Sequence, residues 1–113
     1  MKVAFNGILE QAATFLSDNT EAGVPVSISA NGTVAACAAG GQLAGVAISA
    51  DKGMNAVQLY GYVQLPYSGT TAPTLGFNEL VGDGACGVKT ASGGRKCLVV
   101  ELDTTAKRIG LFL

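Results

Sequence analysis

The chain has 113 residues, enough for one hydrophobic core and too few for two, so a single domain is expected. Only 13% of the residues are charged, about half the roughly 25% of an ordinary soluble domain, and the net charge is -1 with no histidine. That balance exerts no long-range pull on phosphate backbones, the nearest thing to a basic cluster being Arg95 and Lys96, and it excludes nucleic acid as an expected partner.

The charges are unevenly placed. None falls between Glu21 and Asp51 or between Lys52 and Glu79, so long stretches carry no charged coat. Pro, Gly, Ser, Asn and Gln interrupt both stretches, and neither offers the about 20 apolar residues in a row that a membrane helix needs. No membrane partner is expected. The early run "GILEQAATFL" is broken by Glu10 and Gln11 and follows a single Lys2, unlike a secretory signal, so synthesis and folding in the cytoplasm are expected.

The first 23 residues support two conformations. Phe5, Ile8, Leu9, Ala12 and Leu16 fit one helical face with Asn6 as a cap, whereas Gly7 and the β-prone "ATFL" favour an extended arm. In either form these apolar side chains precede the main sheet and need a surface to cover.

From Val24 the pattern is strand and turn. "VPVSISANGTVAA" alternates Val24, Val26 and Ile28 with Pro25, Ser27 and Ser29, and Asn31-Gly32 marks a hairpin. "LAGVAISAD" follows. In "NAVQLYGYVQLPY", Val57, Leu59, Gly61, Val63 and Leu65 fall on one side of a strand, and Gln58, Tyr60, Tyr62 and Gln64 on the other. One side reads as core and the other as a contact surface. After the loop "SGTTAPTLGF" come "ELVGDGACGVKTA" with a second hairpin signal at Asp83-Gly84, then "KCLVVELD", a turn over 104–107, and a last strand "RIGLFL". Short strands between Gly-rich turns predict an all-β, barrel-like domain of antiparallel strands and hairpins.

The segments 31–49 and 83–101 share one grammar at a spacing of 52 residues: a turn pair, a short strand of small residues, a Gly-Gly break and an apolar strand. Aligned without gaps, they match at Gly32 with Gly84, Ala39 with Ala91 and Gly41 with Gly93, whereas a one-residue slip pairs Gly40-Gly41 with Gly93-Gly94 and Val46 with Val99. Two related β-units in one domain explain the echo, as does the general tendency of Gly-rich β chains to resemble themselves.

Nothing in the chain assembles a catalytic centre. Acid-base work needs a carboxylate or imidazole held in a cleft, and the acids here sit mostly beside turn residues. Cys37, Cys86 and Cys97 have neither a C-x-x-C spacing nor a His partner, and they read as small buried hydrophobes; a Cys86–Cys97 bridge across a hairpin stays open in an oxidising setting, against which the cytoplasmic expectation argues. "AAGGQ" and "SGGRK" lack the spacing of a phosphate loop and read as turns. No enzyme, cofactor or metal is expected. What remains is surface, where low charge, an apolar leading segment and tyrosines favour a protein that works in contact with others.

Four stretches, "AGVPVSISANGTV", "VQLYGYVQLPYSGTTAP", "LVGDGACGVK" and "GRKCLVVELDTTAKRIGLFL", resemble the small head decoration proteins of tailed bacteriophages. The resemblance implies a compact β-tulip domain over 21–113 preceded by an N-terminal arm over 1–20. It further implies a homotrimer on the outer capsid surface of the virion that clamps adjacent major capsid subunits. On that reading Val3, Phe5, Ile8, Leu9, Phe15 and Leu16 are the expected capsid anchors, and Tyr60, Tyr62 and Tyr67 a contact between subunits. A carbohydrate- or host-surface-binding module, with the tyrosines stacked on sugar rings, is the alternative.

Overall fold

Val26, Val34, Ala47 and Val57 alternate with outward-facing residues on four strands, and together they form a small buried core. In the computed structural model, which describes residues 11–17 and 20–113, five strands close around that core. They are β1 (Gln11–Leu16), β2 (Pro25–Ala30), β3 (Thr33–Ala36), β4 (Gly45–Asp51) and β5 (Met54–Tyr60), joined in the circular order β1-β3-β2-β4-β5. Phe15 and Leu59 pack against the core from inside the ring. Closure leaves this sheet without a free edge.

The remaining strands are β6 (Tyr62–Pro66), β7 (Gly76–Gly82), β8 (Val88–Thr90), β9 (Arg95–Asp103) and β10 (Arg108–Phe112), in a sheet of order β6-β10-β9-β7-β8. Leu65, Leu80, Val88, Cys97, Val99, Ile109 and Leu111 fill its concave side. Its two edges curl together, for Tyr67 and Val88 form a parallel bridge and the Ser68 N–H donates to the Val88 carbonyl at 3.0 Å.

The two halves are the same object built twice. Numbered from the start of each half, the first strand pairs the fifth, the fifth the fourth, the fourth the second and the second the third. In both, the first and third meet in a parallel bridge, Leu16 with Thr33 and Tyr67 with Val88. The fourth strand carries a bulge in each. Ile48 is skipped between the pairs Ala47–Val57 and Ser49–Ala56, and Val100 between Val99–Leu111 and Glu101–Gly110, 52 residues further on. Pro25 opposite Val46 corresponds to Phe77 opposite Leu98 at the same spacing. Of the two explanations for the sequence echo, the structure selects a repeated β-unit.

The halves are welded along one seam. Gln42 bridges Val81, with the Gly40 N–H donating to the Gly82 carbonyl at 2.9 Å and the Gly82 N–H to the Gly41 carbonyl at 3.0 Å. Leu43 and Val46 of the first unit enter the core of the second. Arg95 of β9 donates to the Ala44 carbonyl at 2.8 Å and the Leu59 carbonyl at 2.9 Å, and its guanidinium lies over the Tyr60 ring.

Both turn signals mark hairpins. Asn31-Gly32 joins β2 to β3 with only Gly32 at positive φ, and Asp83-Gly84 opens the loop between β7 and β8, where Asp83 Oδ1 accepts from the N–H groups of Ala85 at 2.8 Å and Gly87 at 3.2 Å. A third hairpin, unmarked in the sequence reading, turns at Lys52-Gly53, both at positive φ as a two-residue primed turn requires.

Three expectations are corrected. The strand expected through Val57 to Leu65 is two strands in two sheets, because Gly61 at φ 109° lets the chain leave the barrel between Tyr60 and Tyr62. Residues 11–16, placed in a 20-residue arm, take the extended form and build a wall of the barrel against β5. Cys86 is exposed, in contrast to buried Cys37 and Cys97, and all three thiols are free.

Candidate functional site

Among the described residues no three His, Cys, Asp or Glu side chains gather in a way that could hold a metal. The perturbed groups are structural in kind. Burial pushes the Cys37 and Cys97 thiols above their ordinary range, and burial together with the hydrogen bond to Glu101 does the same to the Tyr62 phenol. The Tyr62 hydroxyl donates to Glu101 and accepts from Gln64 Nε2 at 3.1 Å, and its ring lies across Gly110, where a Cβ would collide with the hydroxyl.

The feature left at the surface is the outer face of the second sheet. On β9 and β10, Cys97, Val99 and Leu111 point into the core, which sends Leu98, Val100 and Phe112 outward. Register then lines up one row across four strands: Tyr62 opposite Phe112, Phe112 opposite Leu98, and Leu98 opposite Phe77. The Tyr62 and Phe112 rings meet edge to face at 5.7 Å. Phe77 is 66% exposed with the Lys96 ammonium 5.3 Å from its centroid, and Leu75 is 64% exposed. Beside the row runs a groove of about 450 Å³ over Gly110, walled by Gln64, Leu75 and Val100 and rimmed by Glu101, Asp103 and Arg108. The arrangement suits docking of protein surface, with apolar and aromatic area at the centre and charge at the rim.

The residues expected to bind fare unequally. Val3, Phe5, Ile8 and Leu9 lie outside the described residues. Phe15 is half-buried and packs against the barrel core. Leu16 is 57% exposed and sits opposite Met54, also exposed, at the Lys52-Gly53 end of the barrel. The tyrosines do not form a face. Tyr60 is exposed under Arg95, whereas Tyr62 and Tyr67 are buried, since the sheet change at Gly61 divides them between two environments. Of the three rings, Tyr60 alone is exposed for stacking on a sugar.

Sequence reasoning missed Leu75, Phe77, Leu98, Val100 and Phe112. The sequence places "TLGF" in a loop, whereas β7 begins at Gly76. The spacing that relates Phe77 to Pro25 and Leu98 to Val46 became visible only once strand register was known. No protein-family model matches the chain, and no curated protein aligns with it significantly.

Proposed function

We propose that this chain is a structural virion protein that binds the outside of an assembled phage capsid as a homotrimer and stabilises it by clamping adjacent major capsid subunits. The observation that carries the reading is the apolar outer face of the second sheet, with Leu75 and Phe77 each about two-thirds exposed on a domain that has few charges to keep it apart from other proteins. The resemblance of four stretches to head decoration proteins supplies the partner. Val3, Phe5, Ile8, Leu9, Phe15 and Leu16 are the proposed capsid anchors, Leu16 being exposed and Phe15 half-buried against the barrel core. Many weak contacts repeated over a lattice add through effective concentration, so no single deep site is required.

Mixing the purified protein with undecorated, expanded phage capsids and imaging them by cryo-electron microscopy tests the reading. Density on the outer shell at three-fold positions is expected, and bare shells at saturating protein would refute it. Deleting residues 1–10, which spares β1, is expected to abolish co-sedimentation with capsids while the circular dichroism of the domain is kept. Full-strength decoration by the shortened chain would remove the leading segment from the mechanism.

A further inference from the structure

The barrel closes where β1 meets β3, at the pair Leu16 and Thr33, and the bond beside that pair runs from the Leu16 N–H to the Gly32 carbonyl at 2.9 Å. This acceptor belongs to Asn31-Gly32, the turn between β2 and β3, in which both residues are exposed. The Thr33 hydroxyl donates to the Asn31 backbone carbonyl at 3.0 Å. The Asn31 side-chain amide and the Gly32 N–H have no hydrogen-bond partner among the described residues. Asparagine followed by glycine carries its own nucleophile. The glycine nitrogen gives its proton to solvent and attacks the asparagine side-chain carbonyl carbon; a five-membered imide forms, and the amide nitrogen leaves as ammonia with a proton from water. Water then opens the imide. Breaking the bond from the ring nitrogen to the side-chain carbonyl carbon gives aspartate. Breaking the bond to the backbone carbonyl carbon gives isoaspartate, whose main chain runs through the former side chain and is longer by one methylene. One water is consumed and one ammonia released, and nothing is oxidised or reduced.

The ring needs room around the glycine nitrogen and an amide that is not already held. Gly32 meets the first condition, since a Cβ placed on it would find no atom within 4 Å, and the unpartnered Asn31 amide meets the second. The equivalent turn of the second unit meets neither. Asp83 Oδ1 accepts from the N–H groups of Ala85 and Gly87, Oδ2 accepts from the Ser68 hydroxyl at 2.8 Å, and a Cβ on Gly84 would lie 3.1 Å from that of Ala39. Asn55 is buried with its amide on two carbonyls, and Asn78 donates to the carbonyls of Thr74 at 2.7 Å and Gly76 at 3.0 Å. Asn6-Gly7 lies outside the described residues. We propose that Asn31-Gly32 is a self-modifying site in the folded protein, where attack of the Gly32 nitrogen on the Asn31 side chain yields isoaspartate and releases β1 from β3. The release follows from the position of the Gly32 carbonyl, which the extra methylene at position 31 moves away from the Leu16 N–H it receives. Strand β1 then keeps only its pairing with β5, and the barrel opens along one seam. The inference goes beyond the decoration reading and makes no use of capsid binding.

Incubating the full chain at mildly alkaline pH, where the attacking nitrogen loses its proton more readily, and mapping its peptides by mass spectrometry tests the site. Asn6→Gln silences the other Asn-Gly pair. Ammonia loss at position 31 with isoaspartate as a product is expected, and no isoaspartate at position 83. A reaction confined to the unfolded chain would run about a thousand-fold or more slower in buffer than in urea, following the unfolded fraction of a stable domain. The folded rate is expected within about 100-fold of the rate in urea on that scale, and a larger retardation overturns the site. Hydrogen exchange tests the release. In the isoaspartate fraction the Leu16 amide is expected to exchange about ten-fold faster or more, as the loss of one hydrogen bond allows, while the amides of β9 and β10 keep their rates. Asn31→Asp, which brings the charge without the longer main chain, is expected to leave Leu16 protected. Unchanged Leu16 exchange in the isoaspartate fraction overturns the release, and so does an equal loss of protection in Asn31→Asp.

Discussion

Asn55 shows how one polar side chain holds the mouth of the barrel. It is fully buried, and its Nδ2 donates to the Thr20 carbonyl at 2.7 Å and the Ser49 carbonyl at 2.8 Å, while Oδ1 accepts from the Ser17 hydroxyl. The equivalent position in the second unit, counted from Val57 and Leu111, is Ile109, so the inward position itself accepts an apolar residue; the asparagine ties the Thr20 carbonyl of the entering chain to the Ser49 carbonyl of β4. Asn55→Ala leaves both carbonyls without their donors and is expected to lower the unfolding free energy by about 2–4 kcal/mol, read as a lower urea midpoint at unchanged slope. The thiols differ as sharply. Cys86 is expected to react with a disulfide reagent at once, and Cys37 and Cys97 only on unfolding, which thiol counting in native and denaturing buffer will show. For Cys37, Cys97 and Tyr62 the folded state holds the proton more tightly than the unfolded chain. Their contribution is therefore fully present below the unfolded values of 9.0 for the thiols and 10.0 for the phenol, and is lost as pH rises through the higher folded values. Urea midpoints are expected to be flat towards neutral pH in this respect and to fall in the alkaline range.

At the scale of elements, alternation and turn residues were legible and sheet membership was not. The inward set Val57, Leu59, Val63 and Leu65 follows from period-two patterning alone, and the structure places all four towards a core. Nothing local says that the first two serve one core and the last two another, since a glycine in a strand is equally compatible with a bulge, a bend or a close approach. Arg95 is of the same sort. In sequence it is half of a small basic pair, whereas in the fold it is a staple between units, with its guanidinium split between the carbonyls of Ala44 and Leu59. Arg95→Lys keeps the charge but cannot reach both carbonyls with one ammonium, and a loss of about 2 kcal/mol in urea unfolding is expected. Recovery of full stability by lysine would show that charge alone suffices there.

For the whole molecule, the all-β class and the hairpins at Asn31-Gly32 and Asp83-Gly84 could be determined from the sequence by itself, because each rests on interactions between residues close in the chain: steric limits on φ at the turns and side-chain alternation along a strand. Tertiary structure alone decided that residues 11–16 wall the barrel, that Tyr62 and Tyr67 are covered, and that Phe77, Leu98 and Phe112 form a row at the surface. Those outcomes depend on which strands lie side by side and which unit shields which face. Two faces with the same alternation are indistinguishable until a neighbour far along the chain excludes water from one of them.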